Sequence, residues 1–530
     1  MSLKNLLSHL PSVVVVEDRT DICSASVKRE HFTGALDELV NCRTLAKTTT
    51  ALYSLGLALS HLYVTDERKA HGVFVVHALL HDDTAASWLH LFTELPGDDP
   101  TYPSATLFIM NAQWFERYNA DMFGVIPLDH PDLRRLAHHA NMPFDVHPLR
   151  KDFLQGTELE SEDIPYPVRQ VTGEGVHEIG IGPVHHRVAE SVHYRLSTTG
   201  ERIMALEVKP FFKHKGVEKL VEGRKPIDAL PFLERLGGDS AISHALAFSQ
   251  AIESVEETVV SQRSRGIRSF LNECERVIMH VEDLSNIAGI GAGYNGMKRG
   301  FLLKERLMTA AEAFCGNRFL RGLIVPGGIA RDVTDKEVEA LRDVFVDVID
   351  DMTTYAKRAL HSDGLRDRLE LCGVLKKDVA KVYGAVGLVA RASGVDRDVR
   401  RDHPYAAYDR FEPRVITHVS GDAFARFKLR ADELIDSRRL LIDLSAHLGG
   451  GEAKVPCHPA LGLGVSAAES GRGEMLYAVH MKDGLLERVA IRGASFSNWP
   501  LLHELIPTSV LSDFPLCCRS LGLSVAGSDL

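Results

Sequence analysis

The stretch "VEALRDVFVDVIDDMTTYAKRAL", residues 338–360, places apolar side chains three and four positions apart along its whole length. That period belongs to an α-helix with one buried face and one charged face in water. A second stretch of this kind, "DAFARFKLRADELIDSRRLLIDLSAHLGG" (422–450), stops on a glycine run suited to a helix end. Between about Val217 and Arg439 the pattern is mostly helical, and two β elements bracket it. The first, "HEIGIGPVHHRVAESVHYRLSTTGERIMALEVKPFF" (177–212), alternates about the turn signal "TTGER". The second, "GRGEMLYAVHMKDGLLERVAIRG" (471–493), reads as a hairpin about Lys482, Asp483 and Gly484.

Upstream, "SVVVVED" (12–18) and "GVFVVHALLH" (72–81) are valine-rich and predict buried strands. "NCRTLAKTTTALYSLGLAL" (41–59) and "HPDLRRLAHHA" (130–140) recur at helical spacing. "QGTELESEDIPYPVRQVTGEG" (155–175) is polar, carries two prolines and reads as a linker. The expected class is α+β: an α/β domain over 1–153, a linker over 154–173, and a mainly helical domain over 174–530 flanked by small antiparallel β elements.

Composition narrows the function classes. The 530 residues suffice for two or more well-buried cores. A formal charge of −11 argues against a nucleic-acid partner, which needs clustered lysine and arginine. No apolar run approaches the roughly 18 residues of a membrane span, and the first twenty residues lack a secretory pattern. The expected location is the cytoplasm. Eight cysteines are scattered without a C-x-x-C pair, so neither a disulfide framework nor a paired-cysteine zinc site is expected. "IVPGG" (324–328) lacks the lysine of a phosphate loop, which leaves nucleotide binding without support.

Longer motifs carry a resemblance. "WFERYNADMFGVIPLDHPDLRRLAHHANMPFDVHPLRKDF" (114–153) resembles the small peripheral subunit of respiratory complex I that accompanies the quinone-binding one. "FFKHKGVEKLVEGRKPIDALPFLERL" (211–236) and "GNRFLRGLIVPGGIARDV" (316–333) resemble the quinone-site large subunit. "VARASGVDRDVRRDHPYAAYD" (389–409) and "RVAIRGASFSNWPLL" (488–502) extend that similarity toward the C-terminus. The tandem fusion is similar to the large subunit of formate hydrogenlyase-type, membrane-bound nickel–iron hydrogenases.

In the hydrogenase branch two C-x-x-C pairs hold the nickel–iron centre with soft thiolates. Here "ERLGGDS" puts Gly237 and Ser240 at the first pair, and "SLGLSVAGSDL" puts Ser524 and Gly527 at the second. Glycine has no ligand and serine a poor one, so the expectation is that this chain binds no metal and no cofactor. The branch also commonly carries a C-terminal extension that is removed after nickel insertion, and the chain, ending at Leu530, is expected to skip that step. The quinone-contacting positions of the complex I branch fall on Ala189, Gly238 and Ile290, none of which donates a hydrogen bond from its side chain. His185, His186 and His193 are the nearby substitutes.

What the resemblance retains is His214 and Glu218 in "KHKGVEKL", at the family's H-R-G-x-E-K helix start, and Arg235. The resemblance implies that His214 and Arg235 lie near the terminal four-iron four-sulfur cluster of a partner small subunit, and that Glu218 begins a proton route. Four residues apart, His214 and Glu218 would share a helix face. The alternative for Glu218 is a surface pair with Lys219 or Arg224, and for Arg235 an inter-subunit salt bridge. His244 reads as a satisfied core residue. Arg391, Asp396, Asp398, Asp402, His403 and Asp409 form either a proton relay or an interface network.

These implications assemble into one expectation: a peripheral-arm subunit on the cytoplasmic face of a membrane complex. Its partners would be an iron–sulfur small subunit and antiporter-like and other membrane subunits. Two alternatives stay open, a quinone reductase subunit with a rebuilt pocket and a non-redox scaffold.

Overall fold

The computed structural model describes the chain apart from residues 1–6, 8, 9, 11, 42–56, 84, 85, 155, 162–165, 185–189, 293 and 508. It divides into two compact units, one holding 1–169, 209–214 and 382–384, the other 170–208, 215–381 and 385–530. Mixed sheet and helix in the first, and long helices with small antiparallel sheets in the second, make the class α+β.

In the first unit strands β1 (Val13–Asp18), β2 (Ile22–Val27), β3 (Ala58–Glu67), β4 (Val73–Asp82) and β5 (Ser87–Pro96) form one sheet. Their order is β1-β2-β5-β4-β3, antiparallel except between β2 and β5. The parallel pair needs a crossover. Helix α1 (Arg29–Asn41) follows β2, and α2 (Gln113–Phe123) packs on β3. A short parallel pair, β6 (Thr101–Pro103) and β7 (Ile126–Leu128), flanks α2 in sequence. A polar row crosses the sheet interior. Thr65 Oγ1 meets His77 Nε2 at 2.9 Å, His77 Nδ1 meets His90 Nε2 at 2.9 Å, and His90 Nδ1 meets Ser24 Oγ at 3.2 Å.

One helix expectation fails here, and another lies mostly outside the described residues. Of 41–59, residues 42–56 lie outside the described residues, while Ala58 and Leu59 open strand β3. Residues 130–140 are not helical. The Asp121 carboxylate on α2 accepts the N–H groups of Leu136, Ala137 and His138 at 2.8, 2.7 and 3.2 Å. Arg117 takes the Arg134 and Arg135 carbonyls at 2.7 and 3.3 Å. Side chains of α2 thus satisfy groups that a helix would pair internally.

The second unit opens with the antiparallel sheet β8 (Val176–Ile181), β9 (His193–Thr199) and β10 (Arg202–Lys209), with β9 central. Helices follow: α3 (Val217–Leu220), α4 (Pro226–Leu233), α5 (Ala241–Val255), α6 (Gln262–Ala292) and α7 (Tyr294–Cys315). The "IVPGG" stretch is a tight hairpin of β11 (Ile324–Val325) and β12 (Gly328–Ile329). Arg268 holds it from inside by donating to the Val325 and Gly328 carbonyls, and Glu253 accepts the Gly327 N–H. Helix α8 (Asp335–Leu360) contains the opening stretch and starts with a Thr334–Glu337 capping box. It buries Val338, Leu341, Phe345, Val348, Ile349, Met352 and Ala356, the positions that the spacing selects.

Helix α9 (Ala423–Ala446) runs antiparallel to α6 along a buried polar seam. Asp283 pairs with Arg430 at 2.9 Å, His280 with Glu433 at 2.7 Å, and Ser437 donates to Glu273 at 2.7 Å. The residues recur at spacings of three, four and seven, all of which return to one helix face, so each helix shows the other a single stripe. The C-terminal sheet has three strands, β13 (Gly462–Ser470), β14 (Gly473–Lys482) and β15 (Leu485–Arg492), where the sequence suggests only a hairpin. Strand β13 lies against α5, and a Cβ at Gly464 would sit 1.8 Å from the Ala251 carbonyl oxygen. That approach requires glycine, which hides the strand from hydrophobic patterning. Helix α10 (Phe514–Leu521) precedes the final segment. Among the described residues, no helix is long and apolar enough to cross a membrane.

Candidate functional site: two loops that meet at four small residues

The loop Gly237–Ser240 ends where α5 begins, and Ser524–Gly527 follows α10. The fold brings the two together. A Cβ placed on Gly237 would lie 2.5 Å from Ser240 Oγ and 3.9 Å from the Gly527 Cα, and one on Gly527 would lie 3.2 Å from Ser524 Oγ. All four positions are buried. Two pairs of positions nearly 300 residues apart in sequence therefore meet.

Their chemistry does not suit a soft metal. Two positions offer hydrogen, and Ser524 Oγ already accepts the Gly527 N–H at 3.1 Å. Ser495 Oγ accepts the Ser524 N–H at 2.9 Å, and Glu190 accepts those of Val525 and Ala526 at 2.6 and 3.0 Å. The frame is held by hydrogen bonds of hard oxygen and nitrogen, with no thiolate at any of the four positions. A nickel–iron centre does not fit these residues.

A cation borders the frame instead. Arg472, in the turn between β13 and β14, donates through Nε to Asp239 Oδ2 at 2.8 Å and again through Nη2. Its Nη1 donates to the Gly522 carbonyl and lies 3.7 Å from Asp283 Oδ2. Burial pushes the Asp239 carboxyl up, and Arg472 overcomes that to hold it below its ordinary value. Burial opposes the Asp283 charge too, and Arg430, Arg472 and Arg519 hold that carboxyl well down.

Beside the loop, His244 is fully buried. Its Nδ1 meets Tyr477 OH at 2.8 Å, while Nε2 has no hydrogen-bond partner among the described residues. The expected satisfied core residue is satisfied at one nitrogen only. Burial takes its pKa down to about 4, so the imidazole is neutral. Glu275 on α6 reaches the first turn of α5. It accepts from Ile242 N at 2.7 Å, Ser243 N at 3.0 Å and the Ser243 hydroxyl. Burial raises it to about 8 against those three donors, with the Asp239 charge adding to the rise.

Glu218 is buried, not on the surface with Lys219 or Arg224. Its Oε2 meets Arg488 Nη2 at 3.2 Å and its Oε1 accepts Ile491 N–H at 2.9 Å, tying α3 to β15. Lys219 pairs with Glu222 instead, at 2.8 Å. Burial and the Glu218 charge together push the Tyr477 phenol far up. His214 does not share a helix face with Glu218. Gly216 is left-handed at φ +63° and α3 starts only at Val217, so His214 lies outside the helix. Arg235 is exposed, and its Nη1 donates to the Pro231 carbonyl at 2.5 Å.

At the quinone-type positions Gly238 is exposed and Ile290 half-buried on α6. Ala189, His185 and His186 lie outside the described residues. His193 sits half-buried on β9. The charged 391–409 segment splits in two. Arg391 and Asp398 lie in the core, Arg391 bridging Glu433 at 2.9 Å and Glu469 at 2.8 Å. Arg401 pairs with Asp396 and Asp402, and Arg265 with Asp409, nearer the surface.

Sequence reasoning passed over Asp239, Arg472, Glu275 and Tyr477. Only Asp239 gave a signal, a carboxylate set inside a loop of small residues.

Comparison with known proteins agrees with the geometry. Residues 293–460 match the family described as the respiratory-chain NADH dehydrogenase 49 kDa subunit, and 39–158 that of the 30 kDa subunit. Formate hydrogenlyase subunit 5 of Escherichia coli K12 is 30% identical over 491 residues, 88% of this chain and 84% of that one. Hydrogenase-4 component G of the same strain is 30% identical, over 87% and 81% of the two chains. The fused C/D subunit of the NADH-quinone oxidoreductase of Phocaeicola vulgatus is 27% identical, over 71% and 76%. A chain of the membrane-bound sulfane sulfur reductase, an archaeal respiratory membrane complex, superposes with a TM-score of 0.64 at 25% identity, covering 68% of this chain and all of that one. The chain belongs to the family of fused subunits that includes formate hydrogenlyase subunit 5 and the C/D subunit of NADH-quinone oxidoreductase.

Proposed function

We propose that the chain is the peripheral-arm subunit of a membrane-bound oxidoreductase complex related to complex I and the energy-converting hydrogenases. It couples electron transfer to proton or ion movement without a nickel–iron centre. The observation that carries this reading is the convergence of Gly237, Ser240, Ser524 and Gly527 with no sulfur among them. The frame survives and its metal donors do not. In this reading the chain holds no cofactor of its own. Electrons arrive from a four-iron four-sulfur cluster in a partner small subunit, near His214 and Arg235. Antiporter-like membrane subunits anchor the assembly on the cytoplasmic face, and Glu218 is the proton carrier next to the frame.

Two other readings differ in outcome. A quinone reductase needs hydrogen-bond donors that Gly238 and Ile290 do not supply, and a scaffold needs no redox chemistry. Purification of the intact complex with elemental analysis, cluster spectroscopy and a donor–acceptor scan separates them. Iron without stoichiometric nickel, together with turnover that reduces the clusters, supports the proposal. One nickel per chain with dihydrogen uptake overturns it, and a partner devoid of reducible clusters leaves the scaffold.

A further inference from the structure

We infer that Arg472 ties together the two loops whose counterparts a metal would cross-link, and so acts as the positioning residue of this frame. The loops are 237–240 and the segment from Gly522 to Gly527. One guanidinium reaches both: Nε and Nη2 take the Asp239 carboxylate on the first, and Nη1 takes the Gly522 carbonyl at the start of the second. A third anchor fixes the clamp from behind. Asp283 on α6 lies 3.7 Å from Arg472 and is held by Arg430 of α9 at 2.9 Å.

The second loop is bound at the end of a helix. Helix α10 closes on Gly522 at φ +65°, where terminal carbonyls lack internal partners and carry partial negative charge. Arg430 takes the Ser520 carbonyl at 2.9 Å and Arg472 that of Gly522. A Cβ at Gly522 would come within 2.6 Å of Arg430 Nη2 and 2.9 Å of Arg472 Nη1, so the backbone sits inside the ionic cluster. The arm that presents Arg472 is itself fixed. Ser470 Oγ donates to the Gly473 carbonyl at 2.9 Å and accepts the Arg472 N–H at 3.1 Å. The charges around Arg472 are Asp239 from the first loop and Asp283 and Glu282 from α6, with Arg430 from α9 and Arg519 from α10 on the far side of Asp283. A planar, permanently charged fork suits a bridge between a carboxylate and a carbonyl.

Hydrogen–deuterium exchange on the full chain, in its purified complex, tests the clamp. Arg472→Gln should raise exchange at least tenfold in both 237–243 and 522–530, and Asp239→Asn should raise it in both while adding nothing on top of Arg472→Gln. Exchange unchanged in either loop overturns the inference. A specific readout is rescue. In Arg472→Gln carrying cysteine at 237, 240, 524 and 527, Cd²⁺ should bind and return both loops to the original protection. Binding without restored protection, or no binding, overturns it. Should Arg472→Gln not fold, Asp239→Asn decides by the same two outcomes.

Discussion

Glu218 and Arg488 form a buried ion pair 270 positions apart in sequence, with Oε2 and Nη2 at 3.2 Å and both side chains almost wholly out of water. Breaking such a pair from one side strands a charge and costs about 3–5 kcal/mol, whereas replacing both partners costs far less. Glu218→Gln should therefore destabilise the chain by about that amount in denaturant titration. Glu218→Gln with Arg488→Met should recover most of it. Turnover of the recovered double variant isolates the chemistry: if it stays slow, the carboxyl carries protons, and if it returns, Glu218 serves structure alone.

Two groups at the frame pull stability in opposite directions with pH. His244 is held neutral down to about 4, below the 6.5 of an unfolded histidine. Between those values the unfolded chain binds more protons, so stability falls as pH drops from 6.5 toward 4. Glu275 is raised to about 8 from 4.5, so the folded chain binds more protons between these values. Stability from Glu275 is complete below 4.5 and is lost as pH rises through 8. The two slopes oppose each other between pH 4.5 and 6.5, so the melting temperature should be level there, falling from 6.5 to 8 through Glu275 and below 4.5 through His244. In Glu275→Gln stability should rise from pH 4 to 6.5 and then level off, and in His244→Gln it should fall steadily from pH 4.5 to 8, each change corresponding to about 3–5 kcal/mol.

Long amphipathic runs were legible in the sequence because a single buried face imposes a period. Helices α8 and α9 and the hairpin β14–β15 appear where that period puts them. Residues 130–140 were not, since their apolar spacing is served by Asp121 and Arg117 from another helix, and a local period carries no record of that. Positions 237, 240, 524 and 527 were singled out only through family resemblance. Their meeting point depends on α5 and α10, hundreds of residues apart. The Arg472–Asp239 pair was invisible for the same reason, being a contact across 233 positions between residues with no shared pattern.

Arg235 is a solvent-facing cation that donates to the Pro231 carbonyl, and burial together with the Arg235 charge lowers the pKa of the neighbouring Arg321. If a reducible cluster of a partner subunit docks nearby, the cation favours the added electron. Arg235→Met should then lower that cluster's midpoint potential in a redox titration of the complex. The drop should be larger at low ionic strength than at high, because exposed charges are screened within about 10 Å at 0.1 M salt. A potential that stays put at both salt concentrations leaves Arg235 as an interface residue.

Gly522 and Gly484 both adopt left-handed backbone, at φ +65° and +74°, but only one is crowded. A Cβ at Gly484 meets nothing within 4 Å, whereas one at Gly522 meets Arg430, Arg472 and Asp283 within 2.9 Å. Those side chains cannot swing aside cheaply, since Arg430 and Asp283 are buried, Arg472 is largely so, and each is paired with another of the three. Gly484→Ala should therefore cost about 1 kcal/mol, the strain of the backbone alone. Gly522→Ala adds the disruption of a buried ionic cluster and should cost about 3 kcal/mol or more. The difference between the two alanine variants, measured by denaturant unfolding under one set of conditions, reports the tightness of the cluster beneath the frame, and equal losses would mean that the arginines yield.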